Sequence, residues 1–404
     1  MHEISRFRLD EITKRVISIL VLGLIIGPPV GASNAQEPNA AKASIDSQSA
    51  HHNPPDLSVV SEHQWAAIDR SVDRALDYLH SRQQSDGSIP SMEIAKPAVT
   101  ALYVMAALSA GHEPGDGPLG DSLNRAIDYV LSTQIENGLF TLERVSLTGP
   151  EDHKAGQLAL YNHGICGTVL GEVYGMTDAT RSARIETAIE KALAFATENQ
   201  RRPIRANEHL DRGGWRYIKQ VPISQPQSDL SVTSWQIMFM RSAHNAGFDF
   251  PKESIDQAIN YVRMCFDEPT GGFQYATHRS EQITRGMTGA GVLCLFLTGN
   301  YDDRIERQSG AWLLRQEFTR YNQSRQHDRY FYAAYYCSQA AYQLGGEYWS
   351  KTYVPLAETL VAHQHARGNW DEDHHNREYS DTYSTAMAIL ALTPPYQLLP
   401  IYQR

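Results

Sequence analysis

An apolar pattern with helical spacing recurs along this chain, and that self-similarity restricts the fold more than any single motif does. Val72, Ala75, Leu76 and Leu79 stand at i, i+3, i+4 and i+7, the spacing of one face of an amphipathic helix. The same spacing returns as Leu123, Ala126, Ile127 and Val130, then as Ile189, Ala192, Leu193 and Ala196, and again as Ile255, Ala258, Ile259 and Val262. Arg74, Asp77, Tyr78, Gln83 and Gly87 recur at one common offset as Arg125, Asp128, Tyr129, Gln134 and Gly138, so a unit has been duplicated and not merely a composition shared. A more divergent copy ends in Leu360, Gln364 and Gly368, and the weakest is centred on Trp312, Leu313 and Leu314.

Each copy is followed by a turn and a second, more apolar segment: residues 97–110, 161–175, 229–245, 285–297, 329–344 and 381–392. The run from Val99 to Leu108 carries no charge, and a helix apolar on all sides must be surrounded by protein. Six such helices inside six amphipathic ones predict an all-α fold, an (α/α)6 toroid of about six helical hairpins, closed rather than an open solenoid.

The chain has 404 residues, 36 basic and 46 acidic, a net charge of −10 that lacks the basic footprint of a nucleic-acid binder. Arg6, Arg8, Lys14 and Arg15 precede an apolar run from Val16 to Ile26 and the small residues Ser33, Asn34 and Ala35, so residues 1–35 read as an export signal and the protein as periplasmic or secreted. The run is shorter than the roughly 20 residues that span a bilayer, so no membrane-spanning segment is expected once the signal is removed. Residues 36–59, rich in Ala, Ser, Asn and Pro, read as a disordered linker, which leaves 60–404 for the toroid. Cys166, Cys265, Cys294 and Cys337 each sit among apolar neighbours and read as buried free thiols.

At the turns, Leu360, Gln364, Gly368 and Trp370, with Leu79, Gln83 and Gly87 and with Val130, Gln134, Gly138 and Phe140, resemble the repeat of squalene–hopene and oxidosqualene cyclases; Gly214-Trp215 and Gly272-Phe273 look like partial copies. The resemblance covers about 60–404 and extends to a branch of exported bacterial proteins with prenyltransferase and squalene-cyclase repeats and no established activity. It implies a terpenoid-cyclase or prenyltransferase-like barrel with an apolar, isoprenoid-type small molecule in its centre. Cyclases of this kind protonate substrate with the middle Asp of an Asp-x-Asp-Asp-Thr-Ala segment. The nearest segments here begin at Asp229 and Asp381 and carry Ser231 and Tyr383 at the catalytic position, so whether catalysis is retained stays open. The Asp-x-Cys zinc pair of the prenyltransferases is not found, and no metal or other cofactor is expected. Asp371, Glu372, Asp373, His374 and His375 have metal-ligand chemistry but read as a solvated loop, since adjacent residues seldom converge on one ion.

If chemistry survives, the candidate acids are Asp381, whose surroundings keep more of the cyclase context, and Asp229; each would begin an inner helix, where capping the backbone is the competing role. His163, expected at the start of an inner helix, is a third candidate. Trp215, Tyr217, Tyr335, Tyr336, Trp370 and Tyr383 are the candidate ligand-binding aromatics, with packing between hairpins as their other reading. Two further functions fit the same barrel: a non-catalytic scaffold with a protein partner, which predicts a filled axis and an apolar outer patch, and a glycan-processing enzyme, which needs two carboxyl groups about 5 to 10 Å apart.

Overall fold

A computed structural model describes residues 54–142, 153–201, 208–218, 227–277, 282–323 and 327–403; the export segment and most of the expected linker lie outside the described residues. The end of that linker, Leu57–Val59, is a single 3-10 turn capped by Asp56, so ordered backbone begins a few residues before the boundary read at residue 60.

The duplicated unit is a helical hairpin. In chain order the pairs are α1 (Glu62–Arg82) with α2 (Lys96–Ser109), α3 (Gly120–Ser132) with α4 (His153–Val173), and α5 (Ala179–Gln200) with α7 (Leu230–Asn245), the one-turn α6 (Glu208–Asp211) lying between the last two. They continue as α8 (Lys252–Met264) with α9 (Arg285–Leu297), α10 (Asp303–Leu313) with α11 (Tyr330–Leu344), and α12 (Gly346–Ala362) with α13 (Ser380–Leu392). Side chains stop the backbone from unwinding at the starts: Ser61 and Gln64 form a reciprocal capping box on α1, while Asp178, Asp229, Thr284 and Asp302 each accept a backbone N–H of the first turn.

Periodicity sorts the helices into two rings. Every residue of α2 from Pro97 to Ser109 is buried, as is every residue of α9, whereas α1 and α3 bury one face only. Helices α2, α4, α7, α9, α11 and α13 pack each on the next and α13 on α2, which closes the inner ring, and α12 packs on α1 across the same seam. The fold class read from the sequence is therefore the observed one.

One tie is repeated round the ring. The Gln83 amide donates to the carbonyl of Gly87 at 3.0 Å and to that of Ser122 on the next outer helix at 2.8 Å. Gln134 ties Gly138 to Ala188, and Gln364 ties Gly368 to Ser71, which joins the last hairpin to the first. The neighbour contributes carbonyls from within its helix rather than from its last turn. Gly138 has φ +91°, and a Cβ there would lie 2.3 Å from the Lys191 carbonyl oxygen, so glycine is required twice over, for conformation and for contact. In the third and fourth copies the equivalent positions are Gly213 and Gly271, not the adjacent Gly214 and Gly272. Gln200, unread in the sequence, bonds Gly213 and Ser254 as the third tie.

The inner helices all start at one end of the barrel. At the other end residues 394–402 cross the axis: Ile401 N–H donates to Glu172 at 3.2 Å, Gln343 donates to the Tyr402 carbonyl at 3.1 Å, and the Tyr402 hydroxyl bonds that of Tyr335. Trp235 stacks on Tyr335, with centroids 5.8 Å apart, and Tyr336 packs against both, so the lower axis is filled by side chains.

Candidate functional site: an axial cavity at the helix N-termini

Above that plug the axis is open, in a cavity of about 450 Å³. Each inner helix turns a residue toward the axis, near its start in five of them and midway along α4, and four add a second residue one turn on: Ala98 and Leu102, Tyr161 and Ile165, Ser231 and Trp235, Tyr383 and Met387. Met287 and Tyr332 complete the wall. The floor is thus apolar, with Leu102, Ile165, Trp235, Met287 and Met387, while loops preceding the helices supply a polar rim of Arg216, Gln282, His327, Arg329 and Asn376. Six tyrosines, Tyr161, Tyr217, Tyr275, Tyr332, Tyr379 and Tyr383, stand between floor and rim.

Four of the six tyrosine hydroxyls are paired within the wall. Tyr161 donates to Ser231 Oγ at 2.9 Å, and Ser231 Oγ lies 2.8 Å from the Tyr332 hydroxyl. Ser231, at the catalytic position of the cyclase-like segment, therefore joins two tyrosines across the cavity and offers no acid. The Tyr217 and Tyr275 hydroxyls are 2.5 Å apart. Burial raises the pKa of Tyr161, Tyr275 and Tyr383 well above the ordinary phenol value, so these rings face the cavity in the neutral form.

Asp229 lies behind this wall, fully buried. One carboxylate oxygen accepts the Val232 N–H at 2.8 Å, the helix cap, and the other is 3.8 Å from Arg216 Nε. Burial pushes the carboxyl up to about 6, against the lowering by Arg216 and the Val232 N–H. The Arg216 guanidinium lies 5.2 Å from the Tyr217 ring centroid and 5.9 Å from that of Tyr275, both cavity-lining.

The other candidates fall elsewhere. Asp381 is not a cap: Tyr379 holds that position, and Asp381, in the first turn of α13, accepts from the Tyr78 hydroxyl at 2.6 Å and from Asn369 at 3.0 Å. It joins the last hairpin to the first and does not line the cavity. His163 lies in the middle of α4 rather than at its start, because that helix begins at His153, eight residues before the predicted segment; its ring contacts Phe140, Phe195 and Phe239, and Nε2 is 3.2 Å from the Ala192 carbonyl. Burial pulls its pKa down to about 3. Trp215 and Trp370 pack between hairpins, where their indole N–H groups donate to the Ala196 and Leu360 carbonyls at 2.9 and 2.8 Å. Tyr335 and Tyr336 form the plug. Of the six candidate aromatics, Tyr217 and Tyr383 line the cavity. Tyr161, Tyr275, Tyr332 and Tyr379 were not among the candidate site residues; the axis-facing register of a closed ring marks Tyr161 and Tyr332, whereas Tyr275 and Tyr379 reach the cavity from outside the inner helices, where no helical register points to them.

The acidic and histidine run at 371–375 is dispersed: Asp371 pairs with His365 at 2.7 Å, and buried Asp373 accepts the His375 N–H at 3.0 Å. Among the described residues no three His, Cys, Asp or Glu side chains gather as metal ligands, and no helix is long and apolar enough to cross a membrane. All four cysteines are buried free thiols.

No protein-family model matches the chain, and no curated protein sequence does. Solved structures do. An inactive variant of the GH76A α-1,6-mannanase of Salegentibacter sp. HEL1_6, in complex with α-1,6-mannotriose, is similar with a TM-score of 0.58 at 10% identity, over 82% of this chain and 100% of that one. A type II terpene cyclase from Scytonema, as a variant in complex with its substrate geranylgeranyl dihydroxybenzoate, is similar with a TM-score of 0.53 at 12% identity, over 83% and 99% of the two chains. At such identities the likeness establishes the fold: this chain is an (α/α)6 toroid of the architecture that terpene cyclases and GH76 mannanases share.

Proposed function

We propose that this protein binds an apolar ligand of the isoprenoid class in the axial cavity and that the chain is exported by its first 35 residues. The observation that carries the reading is the cavity itself: a pocket of about 450 Å³ with an apolar floor and six tyrosines on its wall, within the size range of small-molecule sites. Aromatic faces suit an unsaturated hydrocarbon, and they would stabilise a cation by about 2 kcal/mol or more when dry. An open upper axis disfavours the scaffold reading. The glycan reading needs two carboxyl groups facing one bond. Among the described residues lining the cavity the one carboxylate is Asp328, which is held by Arg285 at 2.5 Å, and this favours the apolar ligand.

If the protein acts on its ligand, Asp229 is the group best suited to move a proton. Burial keeps it partly protonated near neutrality, and Tyr275 and Tyr217, whose hydroxyls are 2.5 Å apart, stand between it and the cavity. The test is chemical extraction of the purified protein followed by mass spectrometry of the apolar fraction, on wild type and on Ala98→Trp, which fills the cavity. An isoprenoid recovered from the first and lost from the second supports the reading. Recovery of an oligosaccharide, or equal recovery of lipid from both, would overturn it.

A further inference from the structure

At the plugged end of the barrel, away from the cavity, Glu172 is a buried carboxyl in the last turn of α4, where the helix presents its negative end. Its Oε1 lies 2.6 Å from Ser242 Oγ, near the end of α7. Its Oε2 accepts the Ile401 N–H at 3.2 Å, from the segment 394–402 that crosses the axis. Ser242 Oγ is also 2.9 Å from the Thr168 carbonyl, one turn back on α4. A hydroxyl has one hydrogen, so Ser242 cannot donate fully to both oxygens. The network closes when Glu172 itself carries a proton: Glu172 donates to Ser242, Ser242 donates to Thr168, and Oε2 still accepts from Ile401.

The ionisable groups facing Glu172 agree with that assignment. Burial lifts its carboxyl to about 7 from an ordinary 4.5, against the bonds from Ser242 and Ile401 and the charge of Arg241 on α7. Tyr402, which faces it from the crossing segment, is kept a neutral phenol by burial. Opening the segment would uncover Glu172 to water and return its carboxyl toward the ordinary value. The closed form therefore holds the proton more tightly, so its advantage is full below about pH 4.5 and is lost as pH rises through about 7.

The crossing segment is attached in a way that lets it respond. Its own backbone bonds are local, from the Gln397 N–H to Pro394 and from the Tyr402 N–H to Leu399. Its hold on the barrel comes through side chains: Gln343 donates to the Tyr402 carbonyl at 3.1 Å, Asn245 to that of Pro400 at 3.4 Å, and the hydroxyls of Tyr402 and Tyr396 bond Tyr335 and Asp69. Segments held in this way open more readily than helices bonded along their length. Through Tyr335, the segment also braces the plug of Trp235 and Tyr336.

We propose that residues 394–402 are a proton-controlled latch on the plugged end of the barrel: neutral Glu172 holds the segment across the axis, and ionised Glu172 releases it and the plug it braces. The latch is independent of what the cavity at the other end binds.

Hydrogen exchange read by mass spectrometry, corrected for the intrinsic pH dependence of amide exchange, tests it on peptides spanning 394–403, with an α2 peptide as internal reference. The measurement runs from about pH 5 to about pH 9 on wild type, Glu172→Gln and Arg241→Gln, with thermal unfolding as the check that each is folded. In wild type the protection of the segment should fall by about tenfold or more relative to α2 as pH rises. Glu172→Gln, whose amide donates to Ser242 while its carbonyl accepts from Ile401, should keep the segment protected throughout. Arg241→Gln, which removes the charge favouring ionised Glu172, should carry the decline to higher pH, and it gives an independent result should Glu172→Gln not fold. Protection that does not change with pH in wild type would overturn the latch. So would an equal decline in Glu172→Gln, or a decline in Arg241→Gln at the wild-type pH or below.

Discussion

Replacing Gly368 with alanine should loosen the seam where the sixth hairpin closes on the first. Gly368 has φ +95°, and a Cβ on it would stand 2.2 Å from the Arg74 carbonyl oxygen of α1. The left-handed conformation costs an alanine about 1–2 kcal/mol. The reduced entropy of the unfolded chain returns about 0.4–1 kcal/mol. The contact cannot be relieved by a rotamer, because both partners are backbone or Cβ, so the hairpins must part by roughly 1 Å. That stretches the bond from the Gln364 amide to the Ser71 carbonyl, now 2.8 Å, a loss of about 1 kcal/mol, and opens the packing around Trp370. These terms come to about 1–3 kcal/mol, and the packing lost around Trp370 adds to them. Gly117→Ala is the control: φ is +65° there and nothing lies within 4 Å, so conformational strain alone remains, about 0–1.6 kcal/mol after the entropy gain. Urea unfolding followed by circular dichroism should show a midpoint clearly lower for Gly368→Ala than for Gly117→Ala. Equal midpoints would refute the argument that the ring is closed by backbone contact at this glycine.

Three further outcomes follow from buried groups. Asp229 titrates at about 6 when folded against an ordinary 3.8, so the folded state holds the proton more tightly and stability falls as pH rises from about 4 to 6, by on the order of 3 kcal/mol; Asp229→Asn, which keeps a cap acceptor, should flatten that decline in urea midpoints measured across the window. His163 has the opposite sign: its folded pKa of about 3 lies below the ordinary 6.5, so stability is lost as pH falls through that interval, and His163→Phe should retain more of its neutral-pH stability at pH 4 than wild type does. The four cysteines are buried and burial raises each thiol's pKa, so a thiol reagent should modify none in the folded protein and all four in denaturant; rapid reaction of any one without denaturant would contradict the burial.

The hairpins were legible because each copy carries its own evidence: an apolar face at helical spacing, then Gln and Gly at a fixed distance, as in Gln83 and Gly87. Where an insertion separates the pair, as between Gln200 and Gly213, the tie survives in space but its spacing does not. Thr100, Thr233, Thr288 and Thr385 each accept a backbone N–H from the preceding turn, a recurrent bond that single residues on apolar helices do not advertise. The site was harder to read. Asp229 and Asp381 look alike locally, and what separates them is Tyr78, distant in sequence, which takes the Asp381 carboxylate across the closing seam, while Asp229 is backed onto Arg216 and the cavity tyrosines. His163 was misplaced because α4 starts eight residues earlier than its apolar character does, and a polar opening turn hides a helix whose first residues are held by the barrel rather than by their own composition.

The central claim is that the axial cavity, and not the outer surface, receives the ligand. Photo-crosslinking with a benzophenone-bearing farnesyl probe, mapped by peptide mass spectrometry, tests it most directly. The account predicts attachment on segments containing Tyr161, Trp235, Met287 or Met387, abolished by excess farnesol and by Ala98→Trp. Attachment concentrated instead on the outer groove formed by Tyr174, Phe248 and Phe250, and unaffected by Ala98→Trp, would contradict it.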